Sequence, residues 1–239
     1  MNISRLLCLA VSALGFFTSC LHAQVRITEV NLSTRKVELT NFGSANQSLS
    51  GWFFCHRFSY LALSGSLAEG ETKEFSVTFN LTSSDLGLYN SSTFSSPAAM
   101  QDFVQWGAGG IGREGVAASK GIWTAGVFLN VPASGLSFHS KGLLASGVRD
   151  ANWFTGRAHA GFPVPDPVIE SAIVEGGQWT VTCSSFYLPA ALKPETNTVL
   201  SGTWSTVTPA ATDLGDGKVR LVYAAGSGSQ EFTRIRAVP

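Results

Sequence analysis

The chain has 239 residues, of which 44% are hydrophobic and only 13% are charged, and its formal net charge is zero. Because 16 basic residues are balanced by 16 acidic ones, the composition lacks the basic excess with which proteins bind nucleic acid or anionic membranes, and no nucleic-acid partner is expected. With so many apolar residues, the chain can supply a packed core for one large domain or two small ones.

Residues 1–23 predict an export signal. Arg5 supplies a positive charge, and the apolar run that follows over 6–18 is too short to cross a bilayer comfortably. We expect cleavage after Ala23 and an exported protein, located in the extracellular space, at the cell surface or in the periplasm. In an alternative interpretation, the residues before Cys20 resemble a lipoprotein signal, and this cysteine carries a lipid anchor. No later apolar run is long enough for a transmembrane helix.

Strand patterns dominate the region that follows the signal. Alternating apolar and polar residues predict strands at 25–30, 36–40, 74–79 and 102–106. In this alternation Glu29 and Glu38 are expected to face solvent, whereas Trp52, after a Leu-Ser-Gly step, is expected in the core. One or two helical turns are expected between Arg113 and Lys120.

The glycine-rich segment 107–112 matches the pattern of a dinucleotide-binding loop, G-x-G-x-x-G. That function also needs a surrounding βαβ unit and an acidic residue about 20 positions later. No Asp or Glu lies between Glu114 and Asp150, and no such unit is predicted. We therefore interpret the segment as a flexible glycine loop that could contribute to a contact surface, and we expect no cofactor.

The polar residues do not predict a catalytic or metal site. His56, His139 and His159 lack the spacing of metal ligands. Ser137 lies in a Gly-Leu-Ser-Phe-His segment that resembles a nucleophile elbow but lacks its second glycine. We therefore expect no enzyme, although a catalytic set could still be assembled from distant loops.

A proline-rich segment at 161–167 predicts a linker between two β-rich regions. Further strands are expected at 168–174, 178–183, 199–207, 218–223 and 231–237, with glycine-containing hairpin turns at 176–177 and 216–217. The predicted division is a signal at 1–23, a first domain at 24–163 and a small β-domain at 164–239. Cys55 and Cys183 then lie in different domains, and two buried thiols are favoured over a disulfide.

Five of the six tryptophans divide into two groups by context. Trp52, Trp106 and Trp179 lie in apolar runs and are expected in cores. Trp123 and Trp153 lie in glycine-rich surroundings. They are the residues predicted to be exposed and to bind a ligand.

The segments Ile-Thr-Glu-Val-Asn at 27–31, Val-Glu-Leu-Thr-Asn at 37–41, Leu-Ser-Gly-Trp at 49–52 and Asp-Phe-Val-Gln-Trp at 102–106 resemble the motifs of a lamin-tail domain. The resemblance covers about residues 25–163. It implies an all-β chain with an immunoglobulin-like β-sandwich of the kind found in secreted bacterial proteins, where it is non-catalytic. The region after 164 resembles, more weakly, a C-terminal module of secreted bacterial proteins, which implies a second small sandwich of fibronectin or immunoglobulin type.

These observations support three hypotheses. The first is a secreted or cell-surface interaction module whose partner is a protein or a cell-surface glycan. The second is a carbohydrate-binding module that uses exposed tryptophans. The third is a cryptic hydrolase with a catalytic set that the sequence does not reveal.

Overall fold

A computed structural model of the chain describes residues 24–142, 147–198, 203–226 and 231–239. The predicted signal, its cleavage site and Cys20 lie outside the described residues. Within them the chain is mostly antiparallel β-structure with one short α-helix, which confirms the all-β prediction. No helix in the described part is long and apolar enough to span a membrane.

The strands that precede the proline-rich segment form two larger sheets and a short ribbon. They are β1 (Val25–Asn31), β2 (Lys36–Asn41), β3 (Gln47–Ser48), β4 (Phe53–His56), β5 (Ser59–Ala62), β6 (Ser66–Leu67), β7 (Thr72–Ser76), β8 (Ser84–Tyr89), β9 (Met100–Trp106), β10 (Leu136–Ser140) and β11 (Trp153–Arg157), with the helix α1 (Glu114–Lys120) between β9 and β10. The first sheet has the order β11-β10-β1-β2-β7, the second has the order β5-β4-β8-β9, and β3 pairs with β6. Four of the predicted strands correspond to β1, β2, β7 and β9, and the predicted helical turns correspond to α1.

The two larger sheets contribute to one hydrophobic core. Ile27 pairs with Leu39 in the first sheet, and both are completely buried, as are Phe54 and Trp106 of the second sheet. Trp52 is also buried, as predicted. Burying each large apolar side chain contributes about 2–3 kcal/mol, so the alternation that predicted the strands also identifies their core faces.

The outer face of the first sheet is polar and nevertheless buried. Glu29 and Glu38, predicted to face solvent, are only 6% and 3% exposed. They do point away from the apolar core, but residues 158–163 cover this face, and the backbone N–H of Gly161 donates to Glu38 Oε2 over 2.5 Å. The prediction of exposure was wrong because the covering segment is more than 100 residues away in the chain.

The strands after the proline-rich segment form two further sheets. They are β12 (Val168–Glu175), β13 (Gln178–Ser184), β14 (Leu192–Asn197), β15 (Ser205–Thr206), β16 (Ala210–Gly215), β17 (Lys218–Ala224) and β18 (Phe232–Ala237). The sheet orders are β12-β13-β17-β16 and β15-β14-β18. Both predicted hairpin turns are confirmed, with positive φ at Gly176 and Gly177 and at Asp216 and Gly217. Of the predicted strand at 199–207, β15 is observed and residues 199–202 lie outside the described part.

This region has its own hydrophobic core, built on Val181, Leu192, Val219 and Leu221. Cys183 belongs to this core and Cys55 to the first one. Both cysteines are buried and free, in agreement with the favoured interpretation.

Arg157 connects the two cores. Its backbone N–H donates to the carbonyl oxygen of Phe186 over 2.7 Å, and its Nη1 donates to the carbonyl oxygens of Ser185 and Tyr187 over 2.9 and 3.0 Å. Its Nη2 lies 2.7 Å from the Asp213 carboxylate. Arg157 therefore ties the end of the first sheet to the second region through main-chain and side-chain contacts.

Candidate functional site

The two tryptophans predicted to be exposed are buried. Trp123 is 2% exposed, its ring packs edge-on against Phe103 with centroids 5.3 Å apart, and its Nε1 donates to the carbonyl of Val127 over 2.8 Å. Trp153 begins β11 and is 6% exposed. The segment around α1 folds back over the outer face of the second sheet and encloses Trp123 there. Neither ring offers a face to a ligand, so the predicted exposure was wrong.

In the glycine loop at 107–112, which we predicted to be flexible, Gly107, Gly109 and Gly112 lie against neighbouring chain segments. A Cβ on Gly107 would lie 1.9 Å from the carbonyl oxygen of Thr82, and one on Gly112 would lie 2.1 Å from the Asp85 carboxylate. The Glu114 carboxylate also accepts a hydrogen bond from the backbone N–H of Gly110. Gly107, Gly109 and Gly112 therefore permit close approach to neighbouring chain segments, whereas Gly110 is exposed.

In the part of the chain before the proline-rich segment, a different set of side chains forms the prominent exposed feature. In the turn that joins β4 to β5, Phe58 is 56% exposed, and Tyr60 in β5 is 47% exposed. Together with Phe94 and Arg113, which hold these rings, they form what we call the aromatic platform. Exposed aromatic rings that lie together are a candidate for a contact surface.

The turn that carries the platform has a strained backbone. Arg57 and Phe58 have φ angles of 44° and 66°, in the left-handed region that favours glycine. Each such residue costs roughly 1–2 kcal/mol. The buried carboxylate of Asp85 accepts the backbone N–H of Arg57 and that of Arg113, each over 2.7 Å. Asp85 therefore imposes the turn and fixes it against the loop that precedes α1.

The exposed rings are held by specific side-chain contacts. The Arg113 guanidinium carbon lies 4.8 Å from the centroid of the Phe58 ring, and Nη2 donates to the Tyr60 hydroxyl over 2.8 Å. The Tyr60 ring stacks on Phe94 with centroids 3.9 Å apart and an interplanar angle of 17°. Phe94 in turn packs edge-on against Phe53 at 5.4 Å. These contacts organise the platform before any ligand binds.

A second set of polar side chains lies on the covered outer face of the first sheet. Ser137 and His139 are two residues apart on β10, and Glu29 is opposite His139 in the sheet. The His139 Nε2 atom lies 2.9 Å from the carbonyl oxygen of Arg157, so this nitrogen carries the proton, while Nδ1 lies 3.9 Å from Glu29 Oε2. Their exposed fractions are 0%, 2% and 6% for Ser137, His139 and Glu29.

Burial controls the charges in this set. Desolvation raises the pKa of Glu29 to about 7, with the nearby carboxylate of Glu38 acting in the same direction and hydrogen bonding by Ser137 opposing it. Desolvation also lowers the pKa of His139 to about 4. Between these values the imidazole and the carboxyl group are both mainly neutral. The set is enclosed beneath residues 158–163.

Sequence reasoning did not identify the platform. The turn between β4 and β5 contains no glycine, asparagine or aspartate, so the usual hairpin signal is absent. The available signal was the run Phe-Phe-Cys-His-Arg-Phe-Ser-Tyr at 53–60, where large aromatics continue through a polar interruption.

Among the described residues, no group of three or more His, Cys, Asp or Glu side chains is placed to hold a metal ion. Comparison of the chain with protein-family models, with curated proteins and with solved structures finds no match.

Proposed function

We propose that the protein is an exported, non-catalytic binding module and that the aromatic platform is its contact surface. In this proposal residues 24–163 are an immunoglobulin-like sandwich of lamin-tail type, and the region from 164 is a small β-module of fibronectin or immunoglobulin type. The supporting observation for the function is the pair of exposed rings at Phe58 and Tyr60, held in place by Arg113.

Preorganisation is the physical reason to assign binding to this surface. A ligand that contacts rigid rings does not have to order them, so less conformational entropy opposes association. Backbone strain at Arg57 and Phe58 is maintained by Asp85, which accepts the backbone N–H of Arg57. Strained residues with exposed aromatic side chains are typical of positions retained for contact with other molecules.

The test compares a platform variant with a matched surface variant. Fluorescently labelled wild-type protein, Phe58→Ala/Tyr60→Ala and Phe128→Ala are incubated with washed cells of the producing organism and with insoluble cellulose, chitin and xylan. Phe128 is 43% exposed and is not one of the platform residues, so its removal controls for general loss of apolar surface. We expect binding that only the double platform variant loses. Equal binding by all three proteins, or no binding to any material, contradicts the proposal.

A carbohydrate-binding module is the second candidate, and the same rings favour it. Sugar rings stack on exposed aromatic faces, which Phe58 and Tyr60 offer and the buried tryptophans do not. Retention on one of the three polysaccharides, lost in the platform variant, would support this candidate over a protein partner.

The non-catalytic part of the proposal has its own test. Chromogenic ester, phosphodiester and glycoside substrates should show no turnover above buffer. Turnover abolished by replacing one Ser, His or Asp residue would establish the hydrolase hypothesis instead.

A further inference from the structure

We propose that the aromatic platform binds an acidic polysaccharide, with sugar rings stacked on Phe58 and Tyr60 and their carboxylate or sulfate groups paired with Arg57 and Arg113. The inference rests on the proposed function and adds the chemical class of the ligand. The inference depends on the charged residues near the platform, although the chain as a whole has a net charge of zero.

The Arg113 guanidinium lies beside the rings, and Arg57 directly precedes Phe58 in the chain. Within the described residues, neither Arg57 nor Arg113 forms an ion pair with an acidic side chain. Their backbone N–H groups converge on the same Asp85 carboxylate, so the two arginines start from adjacent points of the main chain. Arg57 is exposed, and Arg113 is half-buried against Phe58.

Acidic groups that could neutralise these arginines are absent from the exposed part of this surface. The segments 40–68 and 86–101, which carry Phe58, Tyr60 and Phe94, contain no Asp or Glu. Asp85 and Glu114 are 0% and 4% exposed, and both accept hydrogen bonds from backbone N–H groups. The platform therefore presents aromatic rings and positive charge to solvent, a combination that attracts an anion with a stacking face.

A polysaccharide fits this surface better than an acidic peptide does. Peptide anchors gain most of their affinity in enclosed, desolvated pockets, whereas Phe58 and Tyr60 project at 56% and 47% exposure. A ring face in open solvent suits stacking of a sugar, and a planar guanidinium can bind a carboxylate with two parallel hydrogen bonds. A chain of acidic sugars could stack on the aromatic rings and pair with the guanidinium groups at the same time.

The experiment uses two polymers that share a backbone and differ in charge. Migration of the full protein is measured by affinity electrophoresis in gels containing polygalacturonate or its fully methyl-esterified form, at low salt and with 0.5 M NaCl. We expect polygalacturonate to retard the protein at least about tenfold more effectively, and we expect salt to abolish the effect because Arg57 is exposed and Arg113 is partly exposed.

Substitutions then locate the binding site. Arg57→Gln should weaken retardation by about fivefold without a change in melting temperature, since this side chain makes no ion pair in the described part of the chain. Arg220→Gln, at an exposed arginine of β17, is the matched control and should behave as wild type. Arg113→Lys retains the charge but loses the planar contacts, and it should fall between wild type and Phe58→Ala/Tyr60→Ala.

The outcomes separate this inference from the proposed function. Equal retardation by charged and esterified polymers, lost in Phe58→Ala/Tyr60→Ala, overturns the acidic ligand and leaves the binding module standing. Retardation by polyglutamate with none by polygalacturonate overturns it in favour of an acidic peptide. No retardation by polygalacturonate, or retardation insensitive to Arg57→Gln and Arg113→Lys, also overturns it.

Discussion

The backbone N–H of Gly161 donates a hydrogen bond to the buried carboxylate of Glu38 over a chain separation of 123 residues. Glu38 belongs to a row of side chains that crosses the first sheet, formed in spatial order by Glu74, Glu38, Glu29, His139 and Phe154. Like charges directly opposite each other destabilise a sheet. The row is accommodated because burial raises the pKa of Glu29 and Glu38 towards the neutral form, while the Gly161 N–H satisfies the Glu38 carboxylate when it is charged.

The first prediction concerns Glu29 and the decrease in stability as pH rises. Because burial raises the pKa of this carboxyl group from 4.5 to about 7, the folded state binds more protons than the unfolded state in that interval. The free energy of unfolding therefore decreases as pH rises through it, by up to about 3 kcal/mol. Glu29→Gln should be more stable than wild type at pH 8, and the difference should shrink towards pH 4. Urea denaturation across this range measures it, and a constant difference would contradict the account.

The second prediction concerns His139 and has the opposite sign. Burial lowers its pKa from 6.5 to about 4, so the unfolded state binds more protons in that interval, and stability decreases as pH falls through it. His139→Gln should lose less stability on acidification than wild type. The opposing contributions make the wild-type profile flatter between pH 4.5 and 6.5, and each single variant should reveal the slope due to the other residue. Parallel profiles for wild type and His139→Gln would exclude this assignment.

The third prediction concerns Asp85 beneath the platform turn. Asp85→Asn replaces one carboxylate oxygen with an amide donor and leaves one of the N–H groups of Arg57 and Arg113 without its acceptor. We expect a loss of about 1–3 kcal/mol in the free energy of unfolding. Asp216→Asn is the control, because it is an exposed turn residue with φ of 50°, which asparagine tolerates. If both variants lose equally little stability, Asp85 does not hold the turn.

The fourth prediction concerns the buried ion pair between Asp102 and Arg149. The Asp102 carboxylate lies 3.1 Å from Arg149 Nε and accepts the backbone N–H of Ile27 over 2.9 Å. Arg149→Met leaves a buried carboxylate without its cation and should cost about 3–5 kcal/mol. Lys73→Met breaks the exposed pair with Glu71, at 3.0 Å, and should cost less than about 1 kcal/mol. Thermal or urea denaturation distinguishes them, and similar small losses would contradict the structural role of Asp102.

The sequence predicts features whose causes are local. Alternation identified β1 and β2, an apolar run identified the burial of Trp52, and paired glycines identified the turn at 176–177, because strand period and turn conformation depend on adjacent residues. The same alternation assigned Glu29 to solvent, since only the distant segment at 158–163 determines that this face is covered.

The platform could not be predicted for a related reason. The left-handed turn at Arg57 is imposed by Asp85, 28 residues further along the chain, instead of by a glycine in the turn itself. Trp123 was likewise predicted to be exposed, but the packing of α1 and the loop that follows it buries the ring. In each case tertiary contacts, which leave no periodic pattern, decided exposure.

The central claim is that the platform is the contact surface, and the most direct measurement is binding of Phe58→Ala/Tyr60→Ala beside Phe128→Ala to washed cells of the producing organism. The account predicts that the double variant binds at least about tenfold more weakly than wild type, equivalent to about 1.4 kcal/mol, while Phe128→Ala binds as wild type and both variants remain folded. Binding by the folded double variant that equals wild type would contradict the claim.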